Sequence, residues 1–187
     1  AAADSLTPVM LELGGKDPAI VLEDADLERA AKGIVWGAFL NAGQTCISIE
    51  RVYVVEEVYD AFLREVLGQV RKLRAGSTPN VEIGPMTTQA QLKWVETQLA
   101  EAVEGGAEVV VGGTRTDPAS NVLMPTVLTG MDPESGILRE ETFGPVLPLV
   151  RVKDGEEALG RANAVPYGLS ASVWTKDKAR GIRMAQR

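Results

Sequence analysis

The chain has 187 residues, 45% of them hydrophobic and 24% charged, which is enough apolar material for one sizeable domain with its own core. A net charge of −7 disfavours non-specific binding to nucleic acid or to an anionic membrane, and no apolar run approaches the roughly 18 residues that cross a bilayer. Histidine is absent and cysteine occurs once, which excludes a Ser-His-Asp or Cys-His arrangement and an internal disulfide within this chain, and leaves little for a metal site.

Val9 to Leu13 is a short apolar-rich run that reads as a strand, ended by Gly14 and Gly15. Ala19 to Leu22 reads as a second strand, and Asp24 and Asp26 offer helix caps after it. Leu27, Ala30, Ala31, Ile34, Val35, Ala38 and Phe39 then recur at helical spacing, which predicts a helix packed against a sheet. Asn41 and Gly43 end that helix, so Cys46 falls on the following loop. Arg51 to Val55 reads as a buried strand, and Val58, Phe62, Val66, Val70 and Leu73 mark a second helix.

Ala75 to Thr88 carries Gly76, Pro79, Gly84 and Pro85 and reads as loop. Leu92, Val95, Leu99 and Val103 mark a third helix, stopped by Gly105 and Gly106. Strands are expected at Val109 to Val111, Thr126 to Leu128, Val146 to Val150 and Ser170 to Trp174, with a short helix over Glu156 to Ala162. Asp177 caps a final helix expected to be still running at Arg187. Strands alternating with helices predict an α/β fold, a mostly parallel open twisted sheet flanked by helices.

Three features carry chemistry. Cys46 follows a long helix in NAGQTC, on the kind of loop that commonly bears a catalytic group, although a lone cysteine is more often a buried structural thiol. Glu12 sits among Val9, Met10, Leu11 and Leu13, where partial desolvation would suit a general base; simple alternation to solvent is the plainer reading. REETFGPV, Arg139 to Val146, sets two acids before an aromatic and a Gly-Pro turn, and taken alone is a solvated loop. LGGK is not a phosphate loop, because no glycine stands five residues before Gly15 and Asp17 follows Lys16.

Together these segments resemble one family. LELGGK around Glu12 resembles the glutamate signature of aldehyde dehydrogenases, FLNAGQTC resembles their cysteine signature, and EETFGPV resembles their nicotinamide-ribose motif. The order fits, as do the separations of 34 residues from Glu12 to Cys46 and 95 from Cys46 to Glu141. YGLSASVWT, Tyr167 to Thr175, resembles the strand region that follows in the family, so the likeness covers essentially the whole chain.

The resemblance implies a catalytic, thiol-bearing domain over residues 1–187, cut from a longer chain whose nucleotide-binding domain and C-terminal oligomerisation segment are largely absent. It implies oxidation of an aldehyde to a carboxylic acid with NAD or NADP, with Cys46 as nucleophile and Glu12 activating water. Glu141 would hold the nicotinamide ribose, Phe143 would pack near the ring and the Leu13 backbone would meet the carboxamide; no metal is needed. Thr45 and Ile47 would line the inner pocket.

The chain alone is expected not to oxidise aldehydes, the intact protein to be a homodimer or homotetramer, and its place to be the cytoplasm, which the single cysteine suits. AAADSL also lacks the basic-then-apolar pattern of a signal peptide. The rivals are an acylating enzyme that hands the thioester to coenzyme A or phosphate, a non-catalytic binding module, and a redox-sensing thiol, the last without a second cysteine to resolve it.

Overall fold

A computed structural model describes residues 2–187. The strands are β1 (Asp17–Val21), β2 (Ile49–Val55), β3 (Glu108–Val111), β4 (Thr126–Thr129), β5 (Val146–Val152) and β6 (Ser172–Trp174). The helices are α1 (Leu27–Phe39), α2 (Glu56–Val70), α3 (Gln89–Glu104), α4 (Gly155–Ala162) and α5 (Lys178–Ala185). The sheet runs β3-β4-β5-β2-β1-β6, and only β3 is antiparallel to its neighbour. The expected α/β sheet is therefore present.

Its central strands explain the composition of the segments that form them. β2 is IERVYVV, rich in β-branched residues, and Val52 and Val54 are fully buried between β1 and β5. The step from β1 to β2 moves one way along the sheet and the step from β5 to β6 moves the other. Right-handed crossovers then put α1 and α4 on opposite faces. Arg51 and Tyr53 mark the α4 face, since both donate hydrogen bonds to the Arg161 carbonyl. α1 buries Ala30, Ala31, Ile34, Val35, Ala38 and Phe39, the apolar face read from the periodicity, and Asp26 caps it by accepting from Arg29 N at 3.1 Å.

Three expectations change. Val9 to Leu13 is not a strand: Val9, Met10, Leu11 and Leu13 are 60 to 87% exposed on a segment without regular secondary structure. An apolar run becomes a strand only beside a partner ladder, and both neighbours of β1 begin level with its own first residues. Asp24 caps no helix after β1. Its carboxylate instead accepts from Thr175 Oγ1, Lys176 N and Asp177 N, and so pins the turn between β6 and α5. The last helix stops at Ala185, and the Arg187 guanidinium is held by Glu156 at 2.7 Å.

Candidate active site

The sequence places each of its three chemical segments immediately before a strand. LELGGK leads into β1, NAGQTC into β2 and EETFGP into β5. Because β1, β2 and β5 are parallel neighbours, one end of the sheet collects all three. It is the amino end, whereas open α/β sheets more commonly build their sites at the carboxyl end.

The loop that carries Cys46 starts with an abrupt reversal. Asn41, Ala42 and Gly43 adopt positive φ of 53°, 56° and 72°, two of them without being glycine. Such conformations persist where surrounding bonds fix them. Asn41 Nδ2 donates to the Gln44 carbonyl at 3.0 Å, and Gln44 Nε2 donates back to the Asn41 carbonyl at 3.1 Å. Gln44 Oε1 also accepts from Thr87 N at 2.8 Å, which ties the loop to the lead-in of α3. A turn closed by Ser48 N on the Thr45 carbonyl follows, and Cys46 stands exposed on it. Thr45 is half-buried and Ile47 exposed beside it.

The lead-in to β1 lies against this loop. A Cβ on Gly15 would come within 2.7 Å of the Cys46 carbonyl oxygen, so only glycine lets the two backbones meet there. Glu12 and Leu13 are exposed. The apolar surroundings expected for Glu12 are absent in this chain, because its neighbours face outward with it. The third segment closes the group. Glu141 Oε1 accepts from Gly15 N at 3.0 Å, and a Cβ on Gly14 would strike the same carboxylate. Phe143 is half-buried with φ of 51°, and Gly43 touches the Gly144 carbonyl where a side chain would not fit.

Beneath these loops lies a buried polar network that sequence reasoning missed. Lys16 Nζ donates to Glu50 Oε2 at 2.7 Å and to Thr142 Oγ1 at 2.9 Å. Burial pulls the Lys16 ammonium below its ordinary pKa, and the Glu50 carboxylate opposes that pull. Next to it, Asp17 is almost wholly buried and accepts from Ser170 N at 3.1 Å through Oδ1, while Oδ2 has no hydrogen-bond partner among the described residues. Burial raises the Asp17 carboxyl to about 6, against the Ser170 bond, which lowers it. The only signals in the sequence were a lysine and an aspartate at the start of an apolar strand and a glutamate at the start of another. A cavity of about 810 Å³ opens between β1, β6 and α5, but none of the predicted site residues lines it.

Comparison with known proteins fits this geometry. The aldehyde dehydrogenase family model matches residues 1–187. The chain belongs to the aldehyde dehydrogenase family. It is 39% identical over 186 residues to the succinate-semialdehyde dehydrogenase [NADP(+)] of Escherichia coli, covering 98% of this chain and 39% of that protein. It is 42% identical over 179 residues to the lactaldehyde dehydrogenase of the same organism, covering 94% of this chain and 37% of that one.

Among solved structures, lactaldehyde dehydrogenase from Escherichia coli superposes with a TM-score of 0.93 at 40% identity, covering 99% of this chain and 39% of that chain. Succinate-semialdehyde dehydrogenase from Burkholderia pseudomallei gives 0.94 at 38% identity, with coverage of 99% and 39%. The chain thus has the aldehyde dehydrogenase fold over its whole length and spans about two fifths of the family members it matches.

The residues at the sheet's amino end also suit the nicotinamide cofactor that the family implies. Glu141 Oε2 takes no hydrogen bond from the described residues, and the Gly14 backbone beside it carries no side chain to block approach. A carboxylate with a free oxygen next to bare backbone is a fitting acceptor for sugar hydroxyls.

Proposed function

We propose that the protein to which this chain contributes Cys46 and Glu12 oxidises an aldehyde to a carboxylic acid with NAD or NADP. The observation that carries the reading is the meeting of the exposed Cys46 turn, the Glu12 lead-in and the Glu141 loop at one end of the sheet. Cys46 Sγ, as thiolate, adds to the aldehyde carbon and gives a hemithioacetal. The backbone N–H of Cys46 donates to the developing oxyanion, and a second donor comes from a segment outside this chain.

The chemistry that bound NAD(P) supplies is acceptance of a hydride, which leaves an acyl thioester on Sγ. Glu12 then takes a proton from water as the oxygen attacks the acyl carbon. The thiolate leaves, and the acid is released. Glu141 would hold the nicotinamide ribose, with Phe143 at the ring and the Leu13 backbone at the carboxamide.

On this reading the chain is the thiol-bearing part of a longer enzyme whose remaining segments bind most of the cofactor, shape the outer substrate pocket and join subunits into a dimer or tetramer. A cytoplasmic setting keeps the exposed Cys46 thiol reduced. Among the described residues no helix is long and apolar enough to cross a membrane. The test is product analysis with the complete protein. Aldehyde and NAD(P) should yield the free carboxylic acid and NAD(P)H. Acyl-coenzyme A or acyl phosphate as the required product would turn the reading to an acylating enzyme, and no aldehyde-dependent reduction would end it.

A further inference from the structure

Glu50 and Lys16 have no part in the chemistry above, yet they join its three segments. Lys16 is the last residue of the glutamate motif, Glu50 lies four residues beyond Cys46, and Thr142 and Phe143 belong to the Glu141 loop. Lys16, Glu50 and Thr142 are 1 to 2% exposed. Glu50 Oε2 accepts from Lys16 Nζ at 2.7 Å and Thr142 N at 2.8 Å, and Oε1 accepts from Phe143 N at 2.8 Å. One carboxylate therefore holds two successive backbone amides while Phe143 keeps φ of 51°, a conformation a phenylalanine rarely adopts unaided.

We propose that Glu50, balanced by Lys16, is a positioning residue that fixes the Glu141–Phe143 loop for the nicotinamide half of the cofactor. The inference rests on the function proposed above. Two successive amides captured by one carboxylate restrain the Thr142 backbone, and with it the placement of Glu141 and Phe143 on either side. A neutral amide in place of Glu50 offers a single acceptor oxygen. Its NH2 group would face either Phe143 N–H or both Lys16 Nζ and Thr142 N–H, so one amide of the loop would be released in either orientation.

The experiment uses the complete protein and compares wild type, Glu50→Gln, Lys16→Met and the double variant Lys16→Met/Glu50→Gln. Glu50→Gln is expected to raise KM for NAD(P), and the dissociation constant of NAD(P)H, about tenfold or more, the loss ordinarily seen for a charge-assisted hydrogen bond. KM for the aldehyde should move less than about threefold, because that charged bond does not reach the substrate. Lys16→Met leaves a buried carboxylate without its cation and should lower Tm most.

The double variant removes both charges. It is expected to recover much of that Tm while KM for NAD(P) stays raised. A cofactor KM that returns to the wild-type value along with Tm would reduce the pair to a structural role and overturn the inference, as would folded Glu50→Gln with unchanged cofactor binding. If the wild-type protein itself binds no nicotinamide cofactor, the function proposed above fails first and the inference falls with it.

Discussion

Gly15 donates its backbone N–H to the Glu141 carboxylate at 3.0 Å, across 126 positions of the chain. That bond joins the glutamate motif to the loop proposed to hold the nicotinamide ribose, and Gly14 makes the contact possible by having no side chain.

The two glycines of these contacts should fail differently. At Gly14 an added methyl meets the end of a flexible glutamate, which can swing aside. Gly14→Ala in the complete protein should weaken NAD(P)H binding about tenfold by fluorescence titration, the scale of one lost hydrogen bond to a charged group, with Tm little changed. At Gly43 the methyl meets the Gly144 carbonyl, which is backbone, at a φ of 72°. Gly43→Ala should cost about 3 kcal/mol or more in denaturant unfolding. Equal loss of stability in the two would contradict this assignment.

The elements that were legible in the sequence are those whose own residues decide them. α1 was visible because its apolar residues recur with the period of a helix and Asp26 caps it. β2 was visible because Val52, Val54 and Val55 favour a sheet buried on both faces. Val9 to Leu13 misled because its fate depends on whether a neighbouring strand reaches that far, and the residues themselves do not record it. Asp24 looked like a cap because its partner, the turn at Thr175 to Asp177, lies about 150 residues away.

The same limit applies at the site. Cys46, Glu12 and Glu141 stood out as motifs, but the Lys16–Glu50 pair did not, since each is an ordinary charged residue until the sheet brings them to 2.7 Å. The meeting of the segments depends on the strand order β5-β2-β1, which the sequence did not specify. The partly desolvated setting expected for Glu12 is not provided by the residues of this chain, where Glu12 is exposed.

Asp17 gives the pH behaviour. Its carboxyl rises from 3.8 to about 6 on folding, chiefly through burial. The folded state therefore holds the proton more tightly than the unfolded state. Its contribution to stability is present below pH 4, declines between about pH 4 and 6 and is level above that, a change of no more than about 3 kcal/mol. Asp17→Asn should flatten the unfolding free energy across that window and raise Tm near neutral pH. Parallel pH profiles for variant and wild type would contradict the assignment.

Cys46 is exposed on a turn set by bonds within this chain, so part of its reactivity should survive without cofactor. The 187-residue chain should hydrolyse p-nitrophenyl acetate, and Cys46→Ala should lose that activity. Equal rates for the two would mean that the thiol is not poised by the segments present here.

The most direct test follows NAD(P)H formation in the complete protein, comparing wild type, Cys46→Ala and Glu12→Gln with a good aldehyde substrate. No NAD(P)H is expected from Cys46→Ala. Glu12→Gln should give a burst approaching about one NAD(P)H per chain and then a slow steady state, with an acyl group on Cys46 seen by intact mass, because thioester formation outruns its hydrolysis. Turnover by Cys46→Ala, or wild-type turnover without acyl accumulation in Glu12→Gln, would contradict the roles given to these two residues.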